Sequence, residues 1–240
     1  MTLKAVLFDF NGVIINDEPL HERLIEQLLI EENLRPKSGE FRKYCLGRSD
    51  RACLTELFSL RGRFLADAAL DTLVARKAVA YLRELEAIDP LPIYPGVPDI
   101  LFHLRAAQLP MAIVSGALRS EIETVLQRSQ LHENFSVIVS GDMQLSSKPE
   151  PDGYLKAIEL LNEKNTGLNL KPYECLAIED TFAGIEAAKR AGIAVVGVAN
   201  SYPFHMLQRR ANWTVDYLID LEIDRIQKIL TQKGQVLKAS

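Results

Sequence analysis

The segment Lys4-Ala5-Val6-Leu7-Phe8-Asp9-Phe10-Asn11-Gly12 sets a short apolar run directly before two polar residues and a glycine. Such a run reads as a buried parallel strand that ends in a turn. Asp9 interrupts it too early for a signal peptide or a membrane span. Further along, Met111–Val114 reads as a strand followed by Ser115-Gly116, and Val137–Val139 as another. Glu174–Ile178 reads as a strand followed by Glu179-Asp180, and Ala194–Val198 as one more. Helical stretches are expected over about 118–128 and, rich in alanine, through Ala191 with Gly192 as the stop. This alternation predicts an α/β fold with right-handed crossovers and a mostly parallel sheet. A short helix and an edge strand near Thr214–Leu218 are expected after Pro203, with a frayed tail over 232–240.

Residues 17–88 differ in character. They are rich in Leu, Glu, Arg and Ala, with apolar stripes at helical spacing (Leu24, Leu28, Leu29; then Leu70, Leu73, Val74) and no strand signal. The proline-rich connector Asp89–Gly96 closes this helical module. The reading is therefore a core domain over 1–15 and 94–240 with an inserted all-helical cap over 16–93. The 240 residues suffice for that arrangement, and the composition, 48% hydrophobic and 25% charged, is that of a folded globular chain. The net charge of −4 has no basic stripe, so nucleic acid is not an expected partner. Cys45, Cys53 and Cys175 fit neither a disulfide framework nor a zinc site, and a reduced, cytoplasmic setting is expected.

In a parallel sheet the ligand sits beyond the carboxyl ends of the strands. Four such ends can be read here: Asp9 and Asn11; Ser115; Lys148 in Ser147-Lys148-Pro149; and Glu179-Asp180. Alone, each has an ordinary structural role as turn former, cap or solvated loop residue. Together they supply carboxylates, a hydroxyl and an ammonium group, the inventory for phosphoryl transfer with a hard cation such as magnesium.

The segments Phe8–Ile14, Val114-Ser115-Gly116, Ser147-Lys148-Pro149 and Ile178–Ile185 resemble the haloacid dehalogenase superfamily, in the branch that holds β-phosphoglucomutase and small sugar-phosphate phosphatases. The resemblance implies a Rossmann-like core with a helical cap. It implies Asp9 as the nucleophile that forms an aspartyl-phosphate. Asp9, Asp180, the Asn11 backbone carbonyl and, through water, Glu179 would serve a magnesium ion. Ser115, Gly116 and Lys148 would hold the phosphoryl group. From the cap, His21, Arg48, Ser49 and Lys77 match positions that contact substrate.

One departure matters most. Members of this branch carry an acid/base aspartate two residues after the nucleophile, and here Asn11 stands there. A carboxamide cannot exchange a proton near neutral pH, and losing a general acid/base costs about 10²–10⁴ in rate. The expected enzyme is thus a slow magnesium-dependent phosphatase of small phosphomonoesters, with sugar phosphates as candidates and His21 as a candidate substitute acid. A phosphosugar mutase and a non-catalytic phospho-ligand binder are the rivals. Asp50, where mutases place an arginine after the loop serine, disfavours the mutase. Deamidation at Asn11-Gly12 is a further chemical route to an aspartate. The expected partner is a small phosphorylated metabolite, with no membrane association, in a monomer or dimer.

Overall fold

The computed structural model describes residues 2–239, with side chains through 231. Six strands form one parallel sheet: β1 (Ala5–Phe8), β2 (Met111–Val114), β3 (Val137–Val139), β4 (Cys175–Glu179), β5 (Ala194–Val198) and β6 (Trp213–Val215). Their order is β3-β2-β1-β4-β5-β6, every pair parallel. Alternate residues of β1 face opposite layers, as the two-residue period of a strand requires. Val6 and Phe8 join one cluster with α5 (Val97–Ala106) and α6 (Arg119–Arg128). Ala5 and Leu7 join another with α7 (Asp152–Lys164) and α8 (Phe182–Arg190). This doubly covered sheet is the expected Rossmann-like core. The sequence reading did not assign α5 or α7, although Tyr154, Ala157, Ile158 and Leu161 of α7 are buried at helical spacing.

Between β1 and α5 the chain inserts α1 (Glu18–Glu31), α2 (Glu40–Tyr44), α3 (Asp50–Ser59) and α4 (Asp67–Glu86). These helices contain no strand and bury a cluster of their own around Leu28, Leu29, Leu54, Phe58, Leu70 and Leu73. The remaining helices, α9 (Phe204–Leu207) and α10 (Ile223–Ala239), follow β5 and β6. The tail expected to fray lies partly outside the described residues: Ser240 is not described, and the backbone before it belongs to α10. Among the described residues no helix is long and apolar enough to cross a membrane.

The sheet order reverses at β1 and β4. After β1 the chain builds outward through β2 and β3, then returns to lay β4 on the other side of β1. The crevice at such a switch point is where α/β sheets hold ligands. Asp9 follows β1 directly there, and Glu179 and Asp180 end or follow β4.

One sequence expectation is overturned. Cys45 and Cys53 form a disulfide, with Cα atoms 4.5 Å apart across a separation of eight residues, while Cys175 is a buried free thiol. Spacing alone does not reveal this pairing. Gly47, at φ +75°, turns the chain between α2 and α3 back on itself and brings the two cysteines together.

Candidate active site

The backbone places Asp9 first. Its N–H donates to the Ile178 carbonyl at 3.0 Å, continuing the β1–β4 pairing, and its Oδ1 accepts from the Phe10 N–H at 2.7 Å. Lys148 Nζ lies 2.8 Å from Asp9 Oδ1 and 2.7 Å from Glu179 Oε1. Tyr154 donates its hydroxyl to that same Glu179 oxygen at 2.5 Å. Burial alone would lower the Lys148 pKa, but Asp9 and Glu179 outweigh it and hold the ammonium charged. Burial pushes the Glu179 carboxyl up to about 8, with the Asp9 charge adding to the rise.

Asp9, Glu179 and Asp180 bring carboxylate oxygens within 4.8 Å of one another. Asp180 is fully buried, its Oδ2 accepts from Ser201, and its Oδ1 has no hydrogen-bond partner. A buried carboxylate oxygen without a donor is costly unless a cation answers it. Burial, then Glu18 and Asp9, raise the Asp180 carboxyl well above its ordinary value. Glu18 itself, at the start of α1, shares the Ser201 hydroxyl at 2.8 Å and is pushed by burial up to about 7. An all-oxygen set with surplus negative charge fits a hard divalent cation. Two glycines make the crowding possible. A Cβ on Gly12 would lie 2.0 Å from Asp180 Oδ2, and one on Gly184 would lie 1.9 Å from Glu179 Oε2.

Asn11 completes the turn after Asp9. Its Nδ2 donates toward both Asp17 carboxylate oxygens at 3.0 Å and lies 3.1 Å from His21 Nε2. Its Oδ1 lies 3.5 Å from the Ser115 hydroxyl, and that hydroxyl accepts from the Ala117 N–H at 3.0 Å. Asp17 is buried, not part of a solvated helix face. It also accepts from Tyr81 at 2.6 Å and faces His21 Nε2 at 3.3 Å. Burial would raise its pKa, but His21, Asn11 and Tyr81 bring it below the ordinary value. The spacing of Asp17 and His21, four residues apart on one helix face, was a signal available in the sequence.

Over these groups lies a cleft of about 520 Å³ lined by Asp9, Asn11, Glu18, His21, Arg48 and Gly116, among others. A second space of about 410 Å³ is reached by Ser49, Ser115, Gly116 and Lys148. The inserted helices press close. Ser49 N–H donates to Ser147 at 2.9 Å, and a Cβ on Gly116 would meet the Ser49 nitrogen at 2.7 Å. Arg48 donates to the Tyr44 carbonyl at 3.1 Å, while its buried Nε has no partner.

Two of the expected substrate contacts sit differently. The Ser49 hydroxyl caps α3 by accepting from Ala52 N. Lys77, only 1% exposed, does not line the cleft. Its Nζ lies 2.8 Å from Asp50 Oδ2, a charge contact, and donates to Glu121 Oε1 at 3.2 Å. A lysine in this interior requires partner charges, and Asp50 and Glu121 occupy it fully. Tyr154, Asp17 and Ser201 are the site neighbours that sequence reasoning did not single out for a role.

A family profile described as haloacid dehalogenase-like hydrolase matches residues 3–192. The β-phosphoglucomutase of Bacillus subtilis is 27% identical over 225 residues, which is 91% of this chain and 93% of that protein. The phosphorylated carbohydrates phosphatase of Thermotoga maritima is 28% identical over 200 residues, covering 83% and 87%. A crystal structure of β-phosphoglucomutase from Clostridium difficile superposes with a TM-score of 0.83 at 21% identity, covering 96% of this chain and 98% of that one. That likeness speaks for the fold, whereas the profile spans most of the chain. The protein therefore belongs to the haloacid dehalogenase-like hydrolases and is an enzyme of their phosphatase and hydrolase type.

Proposed function

We propose that the protein is a magnesium-dependent phosphatase of small phosphomonoesters, sugar phosphates among them, working through an aspartyl-phosphate on Asp9. The observation that carries this reading is the pairing of Asp9 with Lys148 at 2.8 Å beside the unpartnered Asp180 Oδ1. Asp9, Asp180, Glu179 and the Asn11 carbonyl would hold the cation, which neutralises charge on the phosphoryl oxygens. Lys148 keeps the Asp9 carboxylate in place and meets the phosphoryl group, with Ser115 and the Gly116 backbone beside it. Asp9 attacks phosphorus and water then releases phosphate.

In this reading residues 16–93 act as the cap. The closeness of Ser49 to Gly116 and Ser147 supports a lid that excludes water. The small cleft supports a small substrate, with His21 and the free Nε of Arg48 as its cap-side contacts. Asn11 cannot protonate the leaving oxygen, so turnover is slow on alkyl esters and faster on esters with acidic leaving groups. A mutase is disfavoured because Asp50, on the cleft wall, sets a carboxylate where mutases place an arginine, and that charge repels a second phosphate.

The test is phosphate release from a panel of phosphorylated sugars and from p-nitrophenyl phosphate with added magnesium, beside Asp9→Asn. Magnesium-dependent release that Asp9→Asn abolishes supports the reading. Conversion of glucose 1-phosphate to glucose 6-phosphate would favour the mutase. Wild-type release no faster than that of Asp9→Asn would leave a phospho-ligand binder.

A further inference from the structure

We propose that Asp17 is a positioning residue: it fixes the Asn11 carboxamide with its oxygen toward Ser115 and thereby sets which leaving groups the site releases. The proposal rests on the phosphatase reading for its kinetic consequence but on geometry alone for its structural one.

The Asn11 amino group carries two hydrogens, and its surroundings dictate where they go. Both Asp17 oxygens lie 3.0 Å from Nδ2. A carboxylate accepts and never donates, so rotating the carboxamide by half a turn would set oxygen against oxygen with no hydrogen between them. Asp17 is itself immobilised. It is 3% exposed, Tyr81 from α4 donates to it at 2.6 Å, and His21 faces it from the next turn of α1. The His21 ring stacks on the Tyr81 ring with centroids 4.7 Å apart, so both partners share one packed unit. The orientation of Asn11 is thus dictated from the inserted helices, by residues outside the turn that carries it.

The consequence is chemical. As the bond from an Asp9 oxygen to phosphorus forms, the ester P–O bond breaks and the leaving oxygen keeps the electron pair. A carboxamide gives up no proton in either orientation, and held with its oxygen toward Ser115 it cannot turn an N–H toward the leaving oxygen either, so the proton comes from water and the developing charge meets an acceptor. Water then attacks the aspartyl-phosphate, restoring Asp9 and releasing phosphate and a proton. Without a positioned donor the rate follows the acidity of the leaving group closely.

Asn11 and Asp17 therefore form a unit. Aspartate at position 11 alone would face the Asp17 carboxylate at about the present 3.0 Å, where like charges disfavour each other's ionised form. Any proton retained would be shared with Asp17 and kept from the substrate. Exchanging the pair, Asn11→Asp with Asp17→Asn, restores one donor and one acceptor with their positions transposed.

Deamidation of Asn11-Gly12 is opposed by the same unit. The Gly12 N–H, whose nitrogen would attack the side chain, donates to the Ile15 carbonyl at 2.9 Å, and the carboxamide is held away by Asp17.

Two measurements test the proposal. The first does not depend on activity. The Asn11 side-chain amide signals are identified by NMR through their loss in Asn11→Asp, and their exchange with solvent is timed. Asp17→Ala should speed that exchange by about tenfold or more, since both bonds to the carboxylate are lost. Unchanged exchange in a folded Asp17→Ala protein overturns the proposal. Tyr81→Phe, which keeps the ring and removes one donor to Asp17, gives a smaller increase if the first variant fails to fold.

The second measurement compares Asn11→Asp with the exchanged double variant. On glycerol phosphate, an alkyl ester, the double variant should exceed Asn11→Asp in kcat by about tenfold or more, with KM little changed. On p-nitrophenyl phosphate the two should be close. An Asn11→Asp rate equal to or above that of the double variant on the alkyl ester overturns the proposal. If the wild type releases no phosphate beyond Asp9→Asn, the phosphatase reading fails, and amide exchange still decides the role of Asp17.

Discussion

Replacing Lys77 by methionine separates a structural bridge from a substrate contact. Lys77 on α4 holds Asp50 of α3 at 2.8 Å and Glu121 of α6 at 3.2 Å, with its own side chain fully enclosed. Methionine fills a similar volume but leaves two carboxylates without their cation. Glu121 is buried and Asp50 nearly so. Breaking a buried pair by removing one partner costs about 3–5 kcal/mol, most of it from the charge left behind. In a chain of 240 residues each kcal/mol shifts Tm by about 2–4 °C, so the loss should be about 6–20 °C. Adding Glu121→Gln should recover part of it, because the amide oxygen can still accept from the Leu118 N–H, as the Glu121 carboxylate does at 3.0 Å, and the side chain carries no charge. The assay is thermal unfolding of the single and double variants, with steady-state kinetics below the transition. A Tm within a degree or two of the wild type, combined with a large rise in KM, would refute this reasoning and return Lys77 to the substrate.

Removal of the divalent cation should matter more as pH rises. Glu18 and Glu179, raised to about 7 and about 8 from an ordinary 4.5, stay protonated in the metal-free fold where the unfolded chain has ionised. Their contribution to stability is complete below about 4.5 and is lost as pH climbs through about 7 and 8. Thermal unfolding with chelator and with magnesium should therefore show the smallest gain in Tm near pH 5 and the largest above pH 8, and a gain that shrinks with pH would contradict it. Gly116→Ala should cut kcat/KM by about 10² with little loss of stability, because its Cβ would meet the Ser49 backbone at 2.7 Å and hold the inserted helices off the site. Phosphatase kinetics beside a melting curve check it. Cys45→Ser should cost about 2.5 kcal/mol, from the loop entropy of an eight-residue closure, read by denaturant unfolding against the oxidised wild type.

The strand ends were legible because each carries an apolar run followed by a polar residue, and Asp9, Glu179 and Asp180 converge as that pattern implies, with Ser115 beside Asn11; Lys148 reaches them from the loop well past the end of β3. Gly12 and Gly116 read as turn residues near the phosphate, and the structure adds that both also allow a close approach, of Asp180 to Gly12 and of Ser49 to Gly116. Less legible was anything decided by how the inserted helices sit on the sheet. Lys77 was expected at the substrate because its segment resembles a substrate-contacting cap position, but the two carboxylates that claim it come from α3 and α6, 27 and 44 residues away. Cys45 and Cys53 looked unpaired because the turn between them is set by tertiary packing: a Cβ on Gly47 would lie 2.4 Å from Thr181 of the opposite motif. Asp17 was half legible: its spacing to His21 could be read, but its target could not. Beside a proline at position 19 it looks like the capping end of a helix, but its side chain makes no capping bond and turns inward to Asn11 instead.

Lys77, expected at the ligand, is set by the fold against Asp50 and Glu121, and Asp17 is likewise used inside the fold, against Asn11, Tyr81 and His21. Around the crevice stand Asp9, Asp17, Glu18, Glu179 and Asp180, and of these Lys148 pairs with Asp9 and Glu179. Ser201 can donate a single proton, yet oxygens of both Glu18 and Asp180 compete for it. Either protons or a cation must make up the difference, and the raised values of Glu18 and Glu179 show what protons alone would cost near neutrality. A phosphate dianion entering the same space adds to the negative charge, so on the proposed reading its affinity depends on the cation as strictly as its chemistry does. Asn11 fits that balance of charge. An uncharged residue there spares the site one more carboxylate beside Asp17, and the proton-transfer group usual at that position is what the sequence gives up in exchange.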